Sequence, residues 1–304
     1  MTLEQSVNEG AALVALLRSR PDKMTWAEIT AEVVAVGSAV QVWESRVQAT
    51  LLDGLSENAP LAVAAADIQQ WTASGATFLS ILDALYPARL RSIHEAPPLL
   101  FARGSLVPDD LAISVVGSRE ASPRGLGIAE SVAGSLVDAG ITIVAGLALG
   151  IDTAAHRAAL EAGGRTVAIV GTGINNVYPS ANRQLHEEIS RKGLLLSQFW
   201  PDAPPQKHTF LMRNATMSGY GMATVVVEAG EQSGARAQAR MAVGHGRPVI
   251  LTDLVVDRND WAKALVGRPG VHVATGRAEV MDIVRGLTSE QNRVDDQLRQ
   301  LISV

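Results

Sequence analysis

The residues with the clearest chemical potential are glycines, hydroxyls and cations that follow runs of β-branched and apolar residues. The first group is Gly117, Ser118 and Arg119, directly after the run AISVV. A glycine lets the backbone approach a ligand closely, serine and backbone N–H groups donate hydrogen bonds, and arginine adds a fixed positive charge. This combination predicts an anion-binding turn, and phosphate is the anion that best matches the planar arginine fork.

Similar groups follow the next runs along the chain. Gly146 and Gly150 bracket a turn ahead of Asp152 and His156, which share one face of a predicted helix because they are four positions apart. The later groups supply further glycines, amides, hydroxyls and cations: Gly171, Gly173, Asn182, Arg183, Lys207, Arg213, Asn214, Ser233 and Gly234. Several of these basic residues flank Phe210, and cations interleaved with an aromatic ring fit a surface for single-stranded nucleic acid.

Each group also has a structural interpretation that the residues alone leave open. The segment 117–119 could be an ordinary turn that carries a surface arginine. Asp152 could cap its helix while His156 packs against a neighbouring element, and Phe210 could anchor its loop in the core. Only convergence of these side chains on one surface would favour the binding interpretation.

The known catalytic and cofactor motifs are missing. The chain has no G-x-x-x-x-G-K-[ST] loop, no G-x-G-x-x-G after the first run and no H-E-x-x-H. In the stretch GEQSG the serine stands one position too late for a nucleophile elbow. The absence of cysteine excludes disulfides and thiolate metal sites. We therefore expect a binding protein without a catalytic residue, metal or cofactor.

The elements that must position these groups alternate regularly from about residue 111. The strand candidates are the runs AISVVG, ITIVAG, TVAIVG, LLLSQF, ATVVVEA and RPVILT. Most are separated by amphipathic stretches that close on a glycine, the usual helix C-terminal signal. Nearly continuous apolar strands indicate that both sheet faces are covered. The pattern predicts an α/β fold with an extended, Rossmann-like, doubly wound and mostly parallel sheet, whose ligands bind at the carboxyl ends of the strands.

The remaining sequence divides the chain into further parts. Residues 1–85 are predicted to form a small all-helical N-terminal domain without strands, in which Thr25 and Glu28 have the spacing of a capping box. Residues 86–105 are a proline-containing connector, residues 106–285 the Rossmann-like domain, and residues 286–304 a helical tail. No predicted helix of residues 1–85 carries a basic cluster, which favours packing or partner binding over reading of duplex DNA.

Charge and hydropathy narrow the choice of partner and compartment. The net charge is −5, yet residues 111–250 hold 12 Lys and Arg against 10 Asp and Glu. The N-terminus carries Glu4 and Glu9 where a secretion signal would carry positive charge, and no apolar run approaches the roughly 18 residues of a membrane span. We expect a soluble cytoplasmic protein that does not bind membranes.

Taken in order, five motifs resemble one family. The stretches VVGSR, IVAGLALGIDTAAHRAAL, GTGINNVYPSANRQL, FLMRNATMSG and VVVEAGEQSGA are similar in order and spacing to the DNA-processing protein A family, also called DprA or Smf. The resemblance covers about residues 86–250. It implies a Rossmann-like domain with a positive pocket, usually in a homodimer. It further implies binding of single-stranded DNA, protection of that DNA in natural transformation and loading of a RecA-type recombinase, without a catalytic step.

The resemblance also assigns residues and marks departures. Gly117, Ser118 and Arg119 match the phosphate-facing motif of the family, and Arg213 and Asn214 match its Arg-Asn pair. The second arginine of the usual Arg-Asn-Arg is replaced by Ala215, which predicts one pocket cation fewer. The usual Ser-Glu after the fourth strand is Ser197-Gln198. The chain is therefore identified as a divergent member.

Two other functions remain open at this stage. A nucleotide sensor or a phosphoribohydrolase-like enzyme on a related fold would need Glu228, Asp152 and Arg119 in one pocket. The P-G-G-x-G-T turn that such enzymes carry before the glutamate is missing. A purely structural interaction module would instead use the helical N-terminal region as its partner surface.

Overall fold

The computed structural model describes residues 3–47 and 59–302, and the runs of β-branched residues form the strands of one sheet. The strands, in chain order, are β1 (Thr77–Ser80), β2 (Leu99–Gly104), β3 (Ala112–Val116), β4 (Thr142–Ala145), β5 (Thr166–Ile169), β6 (Leu194–Ser197), β7 (Ala223–Val226), β8 (Val249–Thr252) and β9 (Val271–Ala274). All six runs proposed from the sequence are strands, β3 to β8.

The helices lie before, between and after these strands. In chain order they are α1 (Leu3–Ser19), α2 (Trp26–Val36), α3 (Ala39–Val47), α4 (Ala59–Ala73), α5 (Pro123–Asp138), α6 (Ile151–Glu161), α7 (Arg183–Lys192), α8 (Lys207–Tyr220), α9 (Gly234–Gly244), α10 (Asp253–Val256), α11 (Asp260–Lys263) and α12 (Arg277–Ile302). The expected glycine ends are present after α5, α6 and α9, where Gly140, Gly163 and Gly246 have φ values of 72°, 70° and 67°.

The strand order is β1-β2-β6-β5-β4-β3-β7-β8-β9, and all pairs from β6 to β9 are parallel. From β3 the chain first winds outward through β4, β5 and β6, and later returns to add β7, β8 and β9 on the other side of β3. The topological switch point therefore lies between β3 and β7. Ligands of doubly wound sheets bind in the crevice at this point, beyond the carboxyl ends of the strands.

The strands alternate their apolar residues between two covered faces. Val144, Val167 and Val226 pack on one face with α8 and α9. On the opposite face, Ile143 and Val225 pack with α5, α6 and α12, while the β2–β6–β5 end of that face is covered by the N-terminal helices and α7. The doubly wound, mostly parallel α/β fold expected from the sequence is confirmed.

Three strands were not predicted. β1 lies in the region 1–85 that was expected to contain no strand, β2 lies in the expected connector 86–105, and β9 follows the last proposed run. β1 pairs only with β2, and β2 pairs antiparallel with β6. These short segments are held as strands by partners distant in the sequence, and local patterns do not contain that information.

The N-terminal helices share a core with the sheet. Leu13, Val33 and Ile68 belong to the same buried cluster as Phe101 and Leu195 of the sheet. Five of the chain's twelve aromatic residues lie here, with ring centroids 5.0–6.4 Å apart, in a cluster formed by Trp26, Trp71, Phe78, Phe101 and Trp200. We call this set the aromatic cluster. Aromatic pairs in such edge-on and tilted geometries stabilise an interface beyond their buried area.

Three further expectations from the sequence concern the capping box of α2, the helical tail and membrane-spanning helices. The capping box of α2 is present, since the Thr25 side chain accepts a hydrogen bond from the Glu28 backbone and the Glu28 carboxylate accepts one from the Thr25 backbone. Of the tail expected at residues 286–304, residues 286–302 are the distal part of α12, whose proximal part packs on α5, and residues 303–304 lie outside the described residues. No helix among residues 3–47 and 59–302 is long and apolar enough to cross a membrane.

Candidate functional site

A pocket of about 660 Å³ opens at the switch point between β3 and β7. Its walls come from the loop after β3, the loop after β4, the N-terminal part of α8 and the N-terminal half of α9. We call it the central pocket. Its polar and charged lining residues are Ser118, Arg119, Glu120, Asp152, Lys207, Arg213, Asn214, Gln232, Ser233 and Gln238.

The loop after β3 is clamped by its neighbours. The Ser118 N–H donates to the Glu228 carbonyl at 2.6 Å, and the Ser118 carbonyl accepts from the Ile151 N–H at 3.1 Å. A Cβ at Gly117 would lie 2.5 Å from Ile151 and 2.7 Å from the Glu228 carbonyl, so only glycine fits there. The Ser118 Oγ accepts from the Glu120 N–H at 3.1 Å. The backbone of this turn is thus fixed before any ligand binds.

Two arginines, one from the loop after β3 and one from α8, meet at one aromatic ring. The Arg119 and Arg213 guanidinium carbons lie 5.7 and 5.9 Å from the centroid of the Phe210 ring. The Tyr178 ring lies 5.4 Å from the same ring, on the side of a small adjoining cavity of about 70 Å³. A cation within about 6 Å of an aromatic face is attracted to it. Phe210 therefore holds both guanidinium groups beside the central pocket.

Arg213 is a buried cation, with only 5% of its surface exposed. Its Nη1 donates to the Ile169 carbonyl at 3.0 Å, while its buried Nε has no hydrogen-bond partner among the described residues. Burial, together with the positive charge of Arg119, lowers the pKa of Arg213 to about 10, although the Asp152 carboxylate opposes the shift. With that pKa the guanidinium stays protonated at neutral pH, and its Nε–H is available to donate a hydrogen bond.

Asp152 holds the loop after β4 and faces Arg213. Its Oδ2 accepts from the Gly146 N–H at 3.0 Å and from the Ala148 N–H at 3.3 Å. Burial raises the pKa of Asp152, and the charge of Arg213 together with these two backbone donors opposes that rise. Gly146 is required because a Cβ there would overlap the Arg213 guanidinium. This carboxylate thus has a positioning role in the pocket.

The N-termini of α8 and α9 complete the walls. Lys207, the first residue of α8, is exposed at the pocket. The Asn214 Nδ2 donates to the Gly234 carbonyl at 3.2 Å and so ties α8 to α9. Ser233 caps α9 by accepting from the Ala235 N–H at 3.2 Å. The N-terminus of an 11-residue helix carries partial positive charge and unpaired N–H groups, which favours an anion here.

Several predicted site residues lie elsewhere. His156 is fully buried, its Nδ1 lies 2.6 Å from the Thr166 Oγ1, and burial lowers its pKa to about 3. Asn182 is buried and donates to the Leu147 carbonyl and the Thr153 Oγ1, both at 2.9 Å. Both residues stabilise the inside of the fold and do not line the central pocket, so they correspond to the structural interpretation.

The glycines after β5 and the following arginine are also outside the central pocket. Gly171 packs against the Phe210 ring, and Gly173 packs against the backbone of residues 200–201. Arg183 is exposed at the start of α7. Of the four cations whose convergence was in question, Arg119, Lys207 and Arg213 line one pocket and Arg183 does not.

The structure places Ala215 outside the lining of the central pocket. Residues two positions apart on a helix point in nearly opposite directions, so Ala215 faces away from the surface to which Arg213 contributes. Ala215 lines a separate apolar groove together with Trp26 and Gln198.

Sequence reasoning missed Gln238 and Gln232. Gln238 is buried at the pocket wall, and its Nε2 has no partner among the described residues. It lies four positions after Gly234, so the helical period of α9 could have pointed to it. Gln232 lies in the loop before α9, where no spacing rule identifies it. Both side chains add amide groups to the pocket.

The three residues required by the nucleotide-enzyme alternative do not meet. Asp152 and Arg119 line the central pocket, but the Glu228 Oε2 accepts from the Ser122 N–H at 2.9 Å and the Ser122 Oγ at 2.8 Å. Glu228 is thus used to hold the start of α5. Among the described residues, no group of three or more His, Asp or Glu could hold a metal ion.

Comparison with known proteins agrees with this fold. The family described as DNA recombination-mediator protein A matches residues 77–272. The DNA processing protein DprA of Streptococcus pneumoniae is 42% identical over 175 residues, which is 56% of this chain and 61% of that protein. The DprA of Bacillus subtilis is 35% identical over 178 residues, 58% of this chain and 60% of that protein. These matches therefore span about three fifths of the curated relatives.

Two solved structures are similar over most of the chain. The X-ray structure of DNA processing protein A from Streptococcus pneumoniae has a TM-score of 0.64 and 30% identity, covering 92% of this chain and 95% of that one. The structure of DNA processing protein A from Helicobacter pylori, described for its single-stranded DNA binding mode, has a TM-score of 0.62, covering 69% of this chain and 96% of that one. At 22% identity the second likeness concerns the fold alone.

Proposed function

The chain belongs to the DNA recombination-mediator protein A family, and on that premise we propose that it binds single-stranded DNA in the central pocket. The observation that carries the proposal is the convergence of Arg119, Lys207 and Arg213 on one pocket at the switch point. DprA relatives are named for DNA processing, and the Helicobacter pylori structure is titled for single-stranded DNA binding. Both support the choice of ligand.

The chemistry of the pocket suits the DNA backbone. The exposed Arg119 and Lys207 can reach a phosphate at the pocket mouth, and the clamped turn at Ser118 and the start of α9 present donors to it. Donors and cations of this kind contact phosphates and read no base edge. The exposed Tyr178 beside Phe210 offers a ring for base stacking, which tolerates every base. Binding is therefore expected to be largely independent of sequence.

The proposal includes binding without cleavage. The two carboxylates that a catalytic mechanism would require already accept hydrogen bonds within the protein. Asp152 accepts hydrogen bonds from two backbone N–H groups, and Glu228 accepts one from the Ser122 N–H. Incubation of labelled oligonucleotide with the protein is expected to leave its length and its bases unchanged by chromatography.

The wider role follows the family resemblance. We propose that the bound strand is protected and passed to a RecA-type recombinase in DNA recombination or natural transformation, and that the protein acts as a homodimer. This function needs a compartment that contains DNA, so a cytoplasmic location is part of the proposal. Sedimentation of the protein with and without oligonucleotide tests the homodimer, and a recombinase filament-assembly assay tests the loading step.

The direct test is fluorescence anisotropy with labelled oligo-dT at several salt concentrations. Because phosphate contacts release counterions, affinity is expected to fall as salt rises. Arg119→Gln removes an exposed pocket cation and is expected to weaken binding about tenfold, in line with a charged hydrogen bond. The exposed Arg157 lies outside the pocket, so Arg157→Gln is the matched control. Equal affinity of both variants, or no binding by the unmodified protein at low salt, would contradict the proposal.

A further inference from the structure

A second basic cavity lies on the opposite side of α9 from the central pocket. It has a volume of about 320 Å³ and is lined by Arg236, Arg240, Val243, Gly244, Trp261, Ala264, Leu265 and Arg268. We call it the arginine pocket. Positions 236, 240 and 243 share one face of the helix by their spacing, whereas Gly234 and Gln238 face the central pocket. One helix therefore separates two pockets that both carry arginines.

Two of the three arginines have no counter-charge. The Arg236 Nη1 donates to the Glu231 carbonyl at 2.7 Å and lies 3.7 Å from the Glu231 carboxylate. Arg240 and Arg268 are exposed and make no side-chain hydrogen bond or ion pair with any residue of 3–47 and 59–302. The arginine pocket therefore holds two guanidinium groups whose donors are available.

The nearby acidic groups are already engaged. The Glu231 carboxylate accepts from the Asp260 N–H at 2.6 Å, in addition to its contact with Arg236. Asp260 in turn lies 3.2 Å from the Lys263 Nζ. Like charges four positions apart on a helix, as Arg236 and Arg240 are, destabilise it unless an anion lies between them. A negatively charged ligand between Arg236 and Arg240 would relieve this repulsion.

The third arginine is placed by backbone turns. The Arg268 N–H donates to the Leu265 carbonyl and the Arg268 carbonyl accepts from the Val271 N–H, both at 3.1 Å. Gly267 and Gly270 on either side have φ values of 88° and 75°, which glycine adopts without strain. These turns fix the point at which Arg268 leaves the backbone, across the cavity from α9.

On these observations, and resting on the proposed function, we propose that the arginine pocket is a second phosphate site for the same DNA strand. Ser233 and Arg240 are seven positions apart, which is about 10 Å along the helix axis, so a strand leaving the central pocket reaches Arg236 and Arg240 within a few nucleotides. A polynucleotide carries a phosphate at every nucleotide and can therefore occupy both pockets at once. The planar arginine fork matches phosphate oxygens, and the apolar floor at Trp261 and Leu265 suits a sugar or base.

The test compares a short and a long oligonucleotide on the full chain. The variant is Arg240→Gln with Arg268→Gln, and the matched control is Arg157→Gln with Arg191→Gln, two exposed arginines outside both pockets. An oligo-dT of about 6 nucleotides can fill the central pocket alone, whereas one of about 20 nucleotides can reach both. Anisotropy is measured over a range of salt concentrations, and circular dichroism verifies that each variant is folded.

The expected result is a loss confined to the long strand. Removal of two phosphate contacts is expected to reduce the slope of log affinity against log salt by about 1.4 for the long oligo-dT. The short oligo-dT is expected to bind the variant and the control equally. An unchanged slope for the long strand in the variant would overturn the second site while leaving the central pocket intact.

Two further probes separate other ligands from DNA. Calorimetric titration with inorganic phosphate and with polyglutamate is performed on the unmodified protein and the double variant. If either binds in a way that needs Arg240 and Arg268 while long oligo-dT binding is unchanged, the pocket serves a free anion or an acidic protein and the proposal fails. If the unmodified protein binds neither oligonucleotide, the proposed function itself fails, which is a different outcome.

Discussion

At the scale of single residues, the Arg213 guanidinium occupies space that is free because Gly146 has no side chain. The guanidinium lies against the backbone of that glycine and donates to the Ile169 carbonyl. A buried arginine is costly unless it is paired, and here Asp152 and the Phe210 ring provide the compensation. The pocket therefore depends on a contact that a methyl group would block.

Gly146→Ala is expected to displace Arg213 and to weaken oligo-dT binding. Overpacking of this kind lowers the free energy of unfolding by about 1–3 kcal/mol. A methyl group added at Gly127 of α5 would meet no atom within 4 Å, so Gly127→Ala is the control and is expected to be neutral or slightly stabilising. Urea unfolding and anisotropy measure the two effects. Normal affinity of Gly146→Ala would show that Arg213 is not part of the interface.

His156 is expected to make the protein sensitive to acid. Burial lowers its pKa from 6.5 to about 3 in the folded protein, so the unfolded chain binds the proton more readily. Stability is therefore complete above about pH 6.5 and falls as the pH decreases toward 3, by up to about 1.4 kcal/mol per unit. The free energy of urea unfolding at pH 7 and pH 5 measures this loss.

His156→Asn is expected to flatten that pH dependence, at some cost in stability at pH 7 because a buried ring is lost. His94 is exposed, and His94→Asn is expected to leave the pH dependence as in the unmodified protein. An equally steep loss in His156→Asn would assign the acid sensitivity to another group, with the partly buried His186, whose pKa is also lowered, as the next to replace.

At the scale of elements, the aromatic cluster joins the N-terminal helices to the sheet. Trp71 of α4 contacts Phe78 of β1, Phe101 of β2 and Trp200 of the loop after β6. The Arg18 guanidinium lies 5.3 Å from the Trp200 ring and 5.8 Å from the Trp71 ring. These contacts indicate that the N-terminal helices and the sheet fold as one cooperative unit.

Trp71→Ala is expected to lower the free energy of unfolding, by less than the about 3–5 kcal/mol of a fully buried aromatic residue because Trp71 is partly buried. The exposed Val63 of the same helix provides the control, because Val63→Ala removes little buried surface. Urea unfolding is followed by circular dichroism. A small effect of Trp71→Ala, or separate transitions for helices and sheet, would contradict cooperative folding of the two parts.

The strands that could be predicted from the sequence are those marked by a run of apolar residues within the strand itself. β3 to β8 are continuous apolar runs, and three of the helices between them end at glycines with positive φ. β1 could not be predicted because its four residues become a strand only by pairing with β2. The same limit applies to the site, where Arg183 and Arg213 have equal local signals and only the packing of α7 and α8 separates them.

At the scale of the whole molecule, the central pocket is assembled from parts that are distant in the sequence. Its walls include residues 116–120, 148–152, 207–217 and 230–238. A ligand that contacts all of them binds the folded chain and not the unfolded one. Such a ligand stabilises the fold in proportion to the logarithm of its concentration.

Oligo-dT is therefore expected to raise the midpoint of thermal unfolding. At one hundred times the dissociation constant the stabilisation is about 2.7 kcal/mol. Arg119→Gln, whose exposed side chain contributes little to the fold, is expected to unfold at the normal temperature without DNA and to need more DNA for the same shift. An equal shift in the variant at every concentration would indicate that DNA binds outside the central pocket.

The tryptophans lie in two regions, so intrinsic fluorescence can report on DNA binding at one of them. Trp26, Trp71 and Trp200 belong to the aromatic cluster and Trp43 to the same buried core, whereas Trp261 lies in the wall of the arginine pocket. A strand that reaches Trp261 would quench its emission, while the cluster would respond mainly to separation of the N-terminal helices from the sheet. The difference spectrum between the unmodified protein and Trp261→Phe would thus follow arrival of DNA without an attached dye.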